Sequence, residues 1–382
     1  MSPHQSTKIA MQAQMLTNRV KKRLKHLQKW AKRGGFEAFR LYDRDIPEIP
    51  LVLDLYGGAV SGALYKRPYE KDPAEELLWL ESMKEALSQS LGIAPELVII
   101  KQRERKRGSN QYEKAADRGL TREIREGQYK FKVNLSDYLD TGLFLDRRAL
   151  RSLVSADAQG KRVLNLFCYT ASFSVYAAGG GAISTDSVDL SNTYLNWAHE
   201  NFALNGFKAK FVQKEAFFAK NDHASPTKSV KKVAHSEKNE PTTSIDSISH
   251  SEFDKSASIA GVAHRLIRAD VNAFLELALA ARYSWDSIIL DPPAFSNSKM
   301  ARADFDLQRD YGALLAACLS LLSPNGKLWF SANPRSFSPS TAGPEKALTA
   351  RFPGLKVIDI SEKIVDEDFK GKKTPKTYQI NN

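Results

Sequence analysis

Four short segments carry residue types that can hold a small ligand or a reacting ring, and each follows a run that reads as a buried strand. The first is NLFCYTASFS, Asn165 to Ser174. Open α/β sheets bind ligands at such strand ends, where the next helix offers unpaired amides. A dinucleotide site would place G-x-G-x-x-G here so that a pyrophosphate can approach the backbone. This sequence has a small-residue turn instead, Tyr169 to Ser172, suited to a ligand without phosphates; Asn165, Phe167, Tyr169, Thr170 and Phe173 are the residues it offers. About twenty residues later Asp189 ends SVDL, a position from which a carboxylate accepts hydrogen bonds from both ribose hydroxyls. Asp270, in RADV, ends the next strand and can hold an adenine amino group. Either acid also reads as a helix N-cap. A small turn followed by two acids at consecutive strand ends describes an adenosine site without a diphosphate, which points to S-adenosylmethionine.

The fourth segment, SIILDPPAFS, sets Asp291, Pro292, Pro293 and Phe295 directly after a buried strand. Two prolines fix the backbone and remove two amide donors, so carbonyls and one carboxylate face the site. Phe295 can stack on a nucleobase, a contact worth about 1–3 kcal/mol. A rigid exit turn is the plainer reading. With a methyl donor beside it, this acid/Pro/Pro/aromatic turn suits methylation of a planar base. Cytosine carbon 5 would need an attacking thiolate, and neither cysteine fits: Cys318 lies in an apolar helical run and Cys168 on the cofactor turn. A ring nitrogen such as guanine N7 needs no covalent step, and the positive charge it develops can be stabilised by Asp291.

The elements that position these residues follow from hydrophobic period. Residues 36–107 alternate as strands (FEAFRLYD, PLVLDLYG, AVSGALYKR, ELVIIKQRER) around one helix opened by Asp72 and Pro73 and closed by Gly92, a small α+β unit. After a connector of two expected strands, QYKFKVNLSD and TGLFLDRR, strands and helices alternate to the C-terminus, the mark of a parallel sheet with crossover helices. The chain divides into a basic N-terminal helix (1–35), the α+β unit (36–126) and a catalytic domain (127–382). A Ser-, Lys- and Thr-dense stretch, 219–262, cannot bury enough apolar surface to offset ordering. It reads as a disordered insertion whose removal leaves the fold intact.

Charge points to the partner. The 382 residues carry a formal charge of +12, a surplus that attracts polyanions. It is concentrated in LTNRVKKRLKHLQKWAKR, with Arg19, Lys21, Lys22, Arg23 and Lys25, and in KQRERKR, with Lys101, Arg103, Arg105, Lys106 and Arg107. Such clusters bind phosphates by counterion release, although the first also reads as a solvated helix face. Asn333 and Arg335 end a strand next to the DPPAF strand and can hold flanking phosphates. No apolar run is long enough to span a membrane and no secretory leader is visible, so a cytoplasmic protein is expected; two cysteines and no zinc-spaced cluster argue against a metal.

With these residues in hand, the sequence resembles the K half of the bacterial large-subunit methyltransferases K/L, guanine-N7 methyltransferases of 23S rRNA. The strings that carry the likeness are MLTNRVKKRLKHLQKWAKR, FRLYDRDIPE, KQRERKRGSNQYEK, DTGLFLDRR, VLNLFCYTASFSVYAA, SVDLSNTYLNWAHENFALNG, LDPPAFSNSK, QRDYGALL and LSPNGKLWFSANPRSF. The resemblance implies a class I (Rossmann-like) α/β methyltransferase with a seven-stranded, mostly parallel sheet, preceded by a small α+β RNA-binding domain. It further implies that DTGLFLDRR lies over the cofactor, with Phe144, Asp146 and Arg147 near it. The substrate implied is 23S rRNA or a large-subunit assembly intermediate. Ala171 departs from the family's usual glycine. The N2-guanine methyltransferase half of the bifunctional members is missing from this sequence, so an enzyme working alone or with a partner from another gene is expected. A cytosine-5 rRNA methyltransferase and a non-catalytic ribosome-assembly factor are the alternatives.

Overall fold

The structure is a computed structural model that describes residues 3–66, 72–103, 119–219, 263–296, 304–333, 348 and 351–381. It opens with helix α1 (Pro3–Gly34). Leu16, Val20, Leu27 and Ala31 of α1 are buried, a spacing that stacks side chains on one helix face. That face joins the core of a four-stranded sheet made of β1 (Ala38–Asp43), β2 (Leu51–Tyr56), β3 (Ala59–Tyr65) and β4 (Val98–Arg103), with helix α2 (Pro73–Leu91) completing it. The strands run antiparallel up to β3, and α2 is the crossover that makes β4 parallel to β3. Asp72 caps α2 by accepting from the Ala74 and Glu75 amides, and Gly92 ends it at φ +64°, as expected. Where α1 crosses α2, the Trp79 indole donates to Gln12 Oε1 at 2.7 Å, which satisfies both buried groups.

A hairpin, β5 (Thr121–Glu126) and β6 (Tyr129–Asn134), joins this unit to the rest. Its first strand touches the small domain through the Phe36–Glu126 bridge. The segment TGLFLDRR, expected as a strand, instead turns at Gly142 (φ +98°) and winds through Leu145–Arg147 into α3 (Arg148–Asp157). The inward residues of α3 are Arg148, Leu150, Arg151 and Val154. Half of that buried face is arginine, so a hydrophobic count misses its helical period.

The second domain then runs β7 (Arg162–Leu166), α4 (Ser172–Gly179), β8 (Ser184–Asp189), α5 (Asn192–Leu204), β9 (Ala209–Gln213), α6 (Lys214–Ala219), β10 (His264–Arg268), α7 (Val271–Ala280) and β11 (Trp285–Leu290). It continues with the short pair β12 (Phe295–Ser296) and β13 (Phe305–Asp306), helix α8 (Leu307–Ser320), β14 (Leu322–Ala332), β15 (Lys356–Asp359) and β16 (Lys376–Asn381). The sheet has eight strands where seven were expected, in the order β15-β16-β14-β11-β7-β8-β10-β9. The additional strand is β9, parallel to β10 at the edge. β15 and β16 form an antiparallel edge. The region expected to be a disordered insertion lies, past Ala219, outside the described residues. Side-chain amides of α5 finish the exposed edge of β6: Asn201 Oδ1 accepts from the Lys132 amide, and Asn205 bonds both the amide and the carbonyl of Lys130.

Within the sheet, Asp186 on β8 is buried and accepts from Arg265 on β10 and from the Trp285 indole on β11. Deleting one partner of such a pair strands the other charge. Asp186→Ala is therefore expected to lower the unfolding free energy by about 3 kcal/mol, read from chemical denaturation.

Candidate active site

The turn after β7 is built from strained backbone. Phe167, Tyr169 and Ala171 all lie in the left-handed region, at φ 54°, 52° and 56°. For residues with a Cβ each such conformation costs about 1–2 kcal/mol. The surroundings hold them there. The Cys168 amide donates to the Val188 carbonyl at 3.0 Å, and the Ala171 amide to the Cys168 carbonyl at 2.8 Å. Thr170 Oγ1 donates to the Gly142 carbonyl at 2.6 Å, while Asn201 Nδ2 donates to the Thr170 carbonyl at 2.9 Å. Thr170 and Cys168 thus face inward and are buried. The Tyr169 ring lies 5.1 Å from Phe144 and 4.5 Å from Tyr194, and the Phe167 ring packs 5.5 Å from Phe305. Ala171, where the resemblance leads to the expectation of a glycine, has a φ that glycine adopts without strain.

Beneath the turn, Asn165 is buried and donates to Ser174 Oγ, which also receives the Ser187 hydroxyl. Phe173 is buried in the core with Leu150 and Ile289. Asn165, Thr170 and Phe173, expected at the ligand, are thus turned into the fold and support the loop. At the next strand end Asp189 accepts from the Tyr169 and Ser191 amides, each at 2.9 Å. Burial pushes its carboxyl up to about 6 despite those bonds. Asp270, at the end of β10, caps α7 through Oδ1, which accepts from the Ala273 amide at 3.0 Å. The N-cap reading therefore holds for Asp270, whereas α5 is capped by Ser191, whose hydroxyl accepts from the Tyr194 amide.

The connector and the DPPAF turn meet directly. Arg147 forks onto Asp291: Nε lies 2.9 Å from Oδ2 and Nη2 lies 2.9 Å from Oδ1. Nη1 is 3.2 Å from Asp146. Burial alone would lower the guanidinium's pKa, but Asp291 and Asp146 hold it above its ordinary value. Asp291 is therefore no bare anion but half of a bidentate pair. The pairing spans 144 residues and left no local signal in the sequence. Pro292 is buried, whereas Phe295 is 43% exposed at the start of the β12–β13 pair. Phe144, three residues before Arg147, is 41% exposed. Two uncovered rings thus stand on the two loops that the fork ties together.

Both thiols are buried. Burial pushes Cys318 up to about 12 and Cys168 well above its usual range. Among the described residues no cluster of His, Cys, Asp and Glu could hold a metal ion, and no helix is long and apolar enough to cross a membrane.

The basic residues divide. Lys21, Lys22, Lys25, Lys29, Lys32 and Arg33 are exposed along one face of α1. Arg19 pairs with half-buried Asp45 at 2.7 Å, and Arg23 donates to the Asp368 carbonyl at 3.1 Å. Lys101 Nζ donates to the Tyr138 carbonyl, and burial lowers its pKa to about 8. Those three were read as phosphate ligands, but their charges serve contacts within the fold. Arg103 ends β4, and Asn333 is exposed just past β14. Arg105, Lys106, Arg107 and Arg335 lie outside the described residues.

Strand order and strand-end chemistry place the protein among class I S-adenosylmethionine-dependent methyltransferases, and comparisons with known proteins agree. A family model described as S-adenosylmethionine-dependent methyltransferase matches residues 43–232. Ribosomal RNA large subunit methyltransferase K of Neisseria meningitidis is 40% identical over 95% of this chain and 86% of its own length. A methyltransferase K/L of Pseudomonas putida is 42% identical over 94% of this chain, which spans only 40% of that longer protein. Among solved structures, SMU.776 complexed with SAH superposes with a TM-score of 0.64 at 22% identity, covering 97% of this chain and 82% of that one. A SAM-dependent methyltransferase from Agrobacterium tumefaciens gives 0.53 at 17% identity, covering 91% of this chain and 90% of that one. The chain belongs to the family of ribosomal RNA large subunit methyltransferase K.

The donor set fits S-adenosylmethionine: a partly buried acid at the second strand end, an acid at the third and a phosphate-free turn at the first. An Asp189 that accepts both ribose hydroxyls would have to be ionised, and binding would then favour its charged form. Cofactor affinity is therefore expected to be flat above pH 6 and to fall by up to about tenfold per pH unit below it, measured by calorimetry. An Asp189→Asn variant should lose that dependence.

Proposed function

We propose that the protein methylates guanine N7 in large-subunit (23S) ribosomal RNA, acting in the cytoplasm on the RNA or on an assembly intermediate. The observation that carries this reading is the DPPAF turn itself, clamped by Arg147, fronted by exposed Phe295 and lacking a reactive thiol. When bound, S-adenosylmethionine supplies an electrophilic methyl group. Asp189 and Asp270 hold its adenosine, and the left-handed turn with the Phe144 and Tyr169 rings walls the pocket. Phe295 stacks on the base, and the prolines present no amide that would compete for the N7 lone pair. N7 needs no general base, so the protein's task is orientation, which accounts for up to about 7–11 kcal/mol of barrier lowering in well-oriented systems. Because Asp291 is neutralised by Arg147, the ring's developing positive charge meets an ion pair rather than a lone carboxylate; the turn's carbonyls share that task.

RNA phosphates line up along α1. Lys21 to Arg33 span about 18 Å at 1.5 Å per residue, enough for several phosphates. Arg19 and Arg23 do not contribute to this face.

Nucleoside mass analysis of large-subunit rRNA treated with the protein should find 7-methylguanosine, absent with Asp291→Ala, whose S-adenosylmethionine affinity stays near wild type. 5-Methylcytosine in the product would overturn the reading. Replacing Lys21, Lys22 and Lys25 with alanine should flatten the slope of log affinity against log salt by about 2, whereas Arg19→Ala should leave the slope alone and lower stability.

A further inference from the structure

A second group of charges, buried and separate from the ligand turns, lies where the small domain, the hairpin and the second domain meet. Arg148 is 1% exposed, and its guanidinium contacts Glu126 of β5 at 3.3 Å, Asp366 at 3.1 Å and Asp368 at 3.2 Å. It also donates to the Ala38 carbonyl of β1 at 2.8 Å. Arg151 forks onto the same Glu126 and donates to the Phe144 carbonyl at 2.9 Å. Helix α1 reaches the group by two routes. Trp30 lies 5.2 Å from the Arg148 guanidinium, with Phe36, just past the helix, 4.6 Å from it, and Arg23 holds the Asp368 carbonyl. His26 adds a pair with Glu367.

The placement of Arg148 gives this group a consequence beyond stability. Its neighbour Arg147 forks onto Asp291, and the two residues meet at the start of α3. One peptide unit separates a side chain locked among the three acids from a side chain locked on the base-clamping turn.

We propose that the Glu126–Arg148–Asp366–Asp368 cluster is a positioning device that fixes the start of α3 to the lysine-bearing helix α1. It thereby sets the Arg147 fork and the Phe144 ring in a fixed relation to where the RNA is gripped. The inference rests on the functional reading above for what is positioned, but its geometry can be tested without substrate. Asp368→Asn keeps the shape and weakens the anchor. In the full free chain, hydrogen–deuterium exchange of peptides covering 144–151 and 287–296 should rise about tenfold, with β8 and β10 unchanged. Unchanged exchange, or a uniform rise everywhere, would refute the coupling. If that variant does not fold, Trp30→Leu, which retains every ion pair, should give the same local pattern.

With large-subunit rRNA, Asp368→Asn should lower kcat about tenfold while KM for RNA and Kd for S-adenosylmethionine stay within about twofold. In an Arg147→Lys background it should add little further loss, because both changes act through one contact. Independent, multiplying losses would sink the coupling alone. A wild-type protein that methylates no rRNA would sink the functional reading instead, and the exchange result would still decide this one.

Discussion

Two guanidinium groups taken out of water dictate much of this molecule's plan. Arg148 and Arg151 are at most 1% exposed, and a charge buried so deeply persists only if acids and carbonyls surround it. Those partners come from β1, the hairpin and the turn around Asp366 to Asp368, pieces that are far apart in sequence. Satisfying the arginines therefore forces the small domain, the connector and the C-terminal segment into one arrangement. The connector then has little freedom, and the Arg147 fork and the Gly142 carbonyl's bond with Thr170 follow from where it must pass.

The cofactor turn obeys a related logic on a smaller scale. A glycine-rich loop would adopt its backbone without strain. Here side chains occupy the left-handed positions, and the loop gains aromatic walls, Tyr169 against Tyr194 and Phe167 against Phe305. The strain is offset by hydrogen bonds from three directions, to β8, to α5 and to Gly142. Asp189 takes part too, since its carboxylate holds the Tyr169 amide from which the turn pivots.

Much of this architecture was legible in the sequence because it rests on local patterns. Strand and helix alternation gave the parallel sheet, Asp72 and Gly92 gave the limits of α2, and Asp189 and Asp270 do stand at successive strand ends. What escaped was non-local or concealed by residue type. TGLFLDRR reads as a strand when its arginines are counted as surface residues, yet Arg148 opens α3 and, with Arg151, lies on its buried face. β9 is short and lies at the sheet edge beside a polar stretch, so no hydrophobic run announced it. Arg19, Arg23 and Lys101 look like their neighbours in a basic cluster; only their tertiary acceptors tell them apart. Arg147 and Asp291 were each found separately, but no rule of spacing links positions so distant.

The left-handed turn also bears on how the molecule matures. Three non-glycine residues at positive φ are not a shape that a short peptide keeps by itself. Its stays include the carbonyl of Val188, the side chain of Asn201 and the backbone of Gly142, none of which is in place until connector, helix and sheet have docked. A chain caught partway through assembly thus has no pocket to offer, and capture of the nucleoside marks completion of the fold.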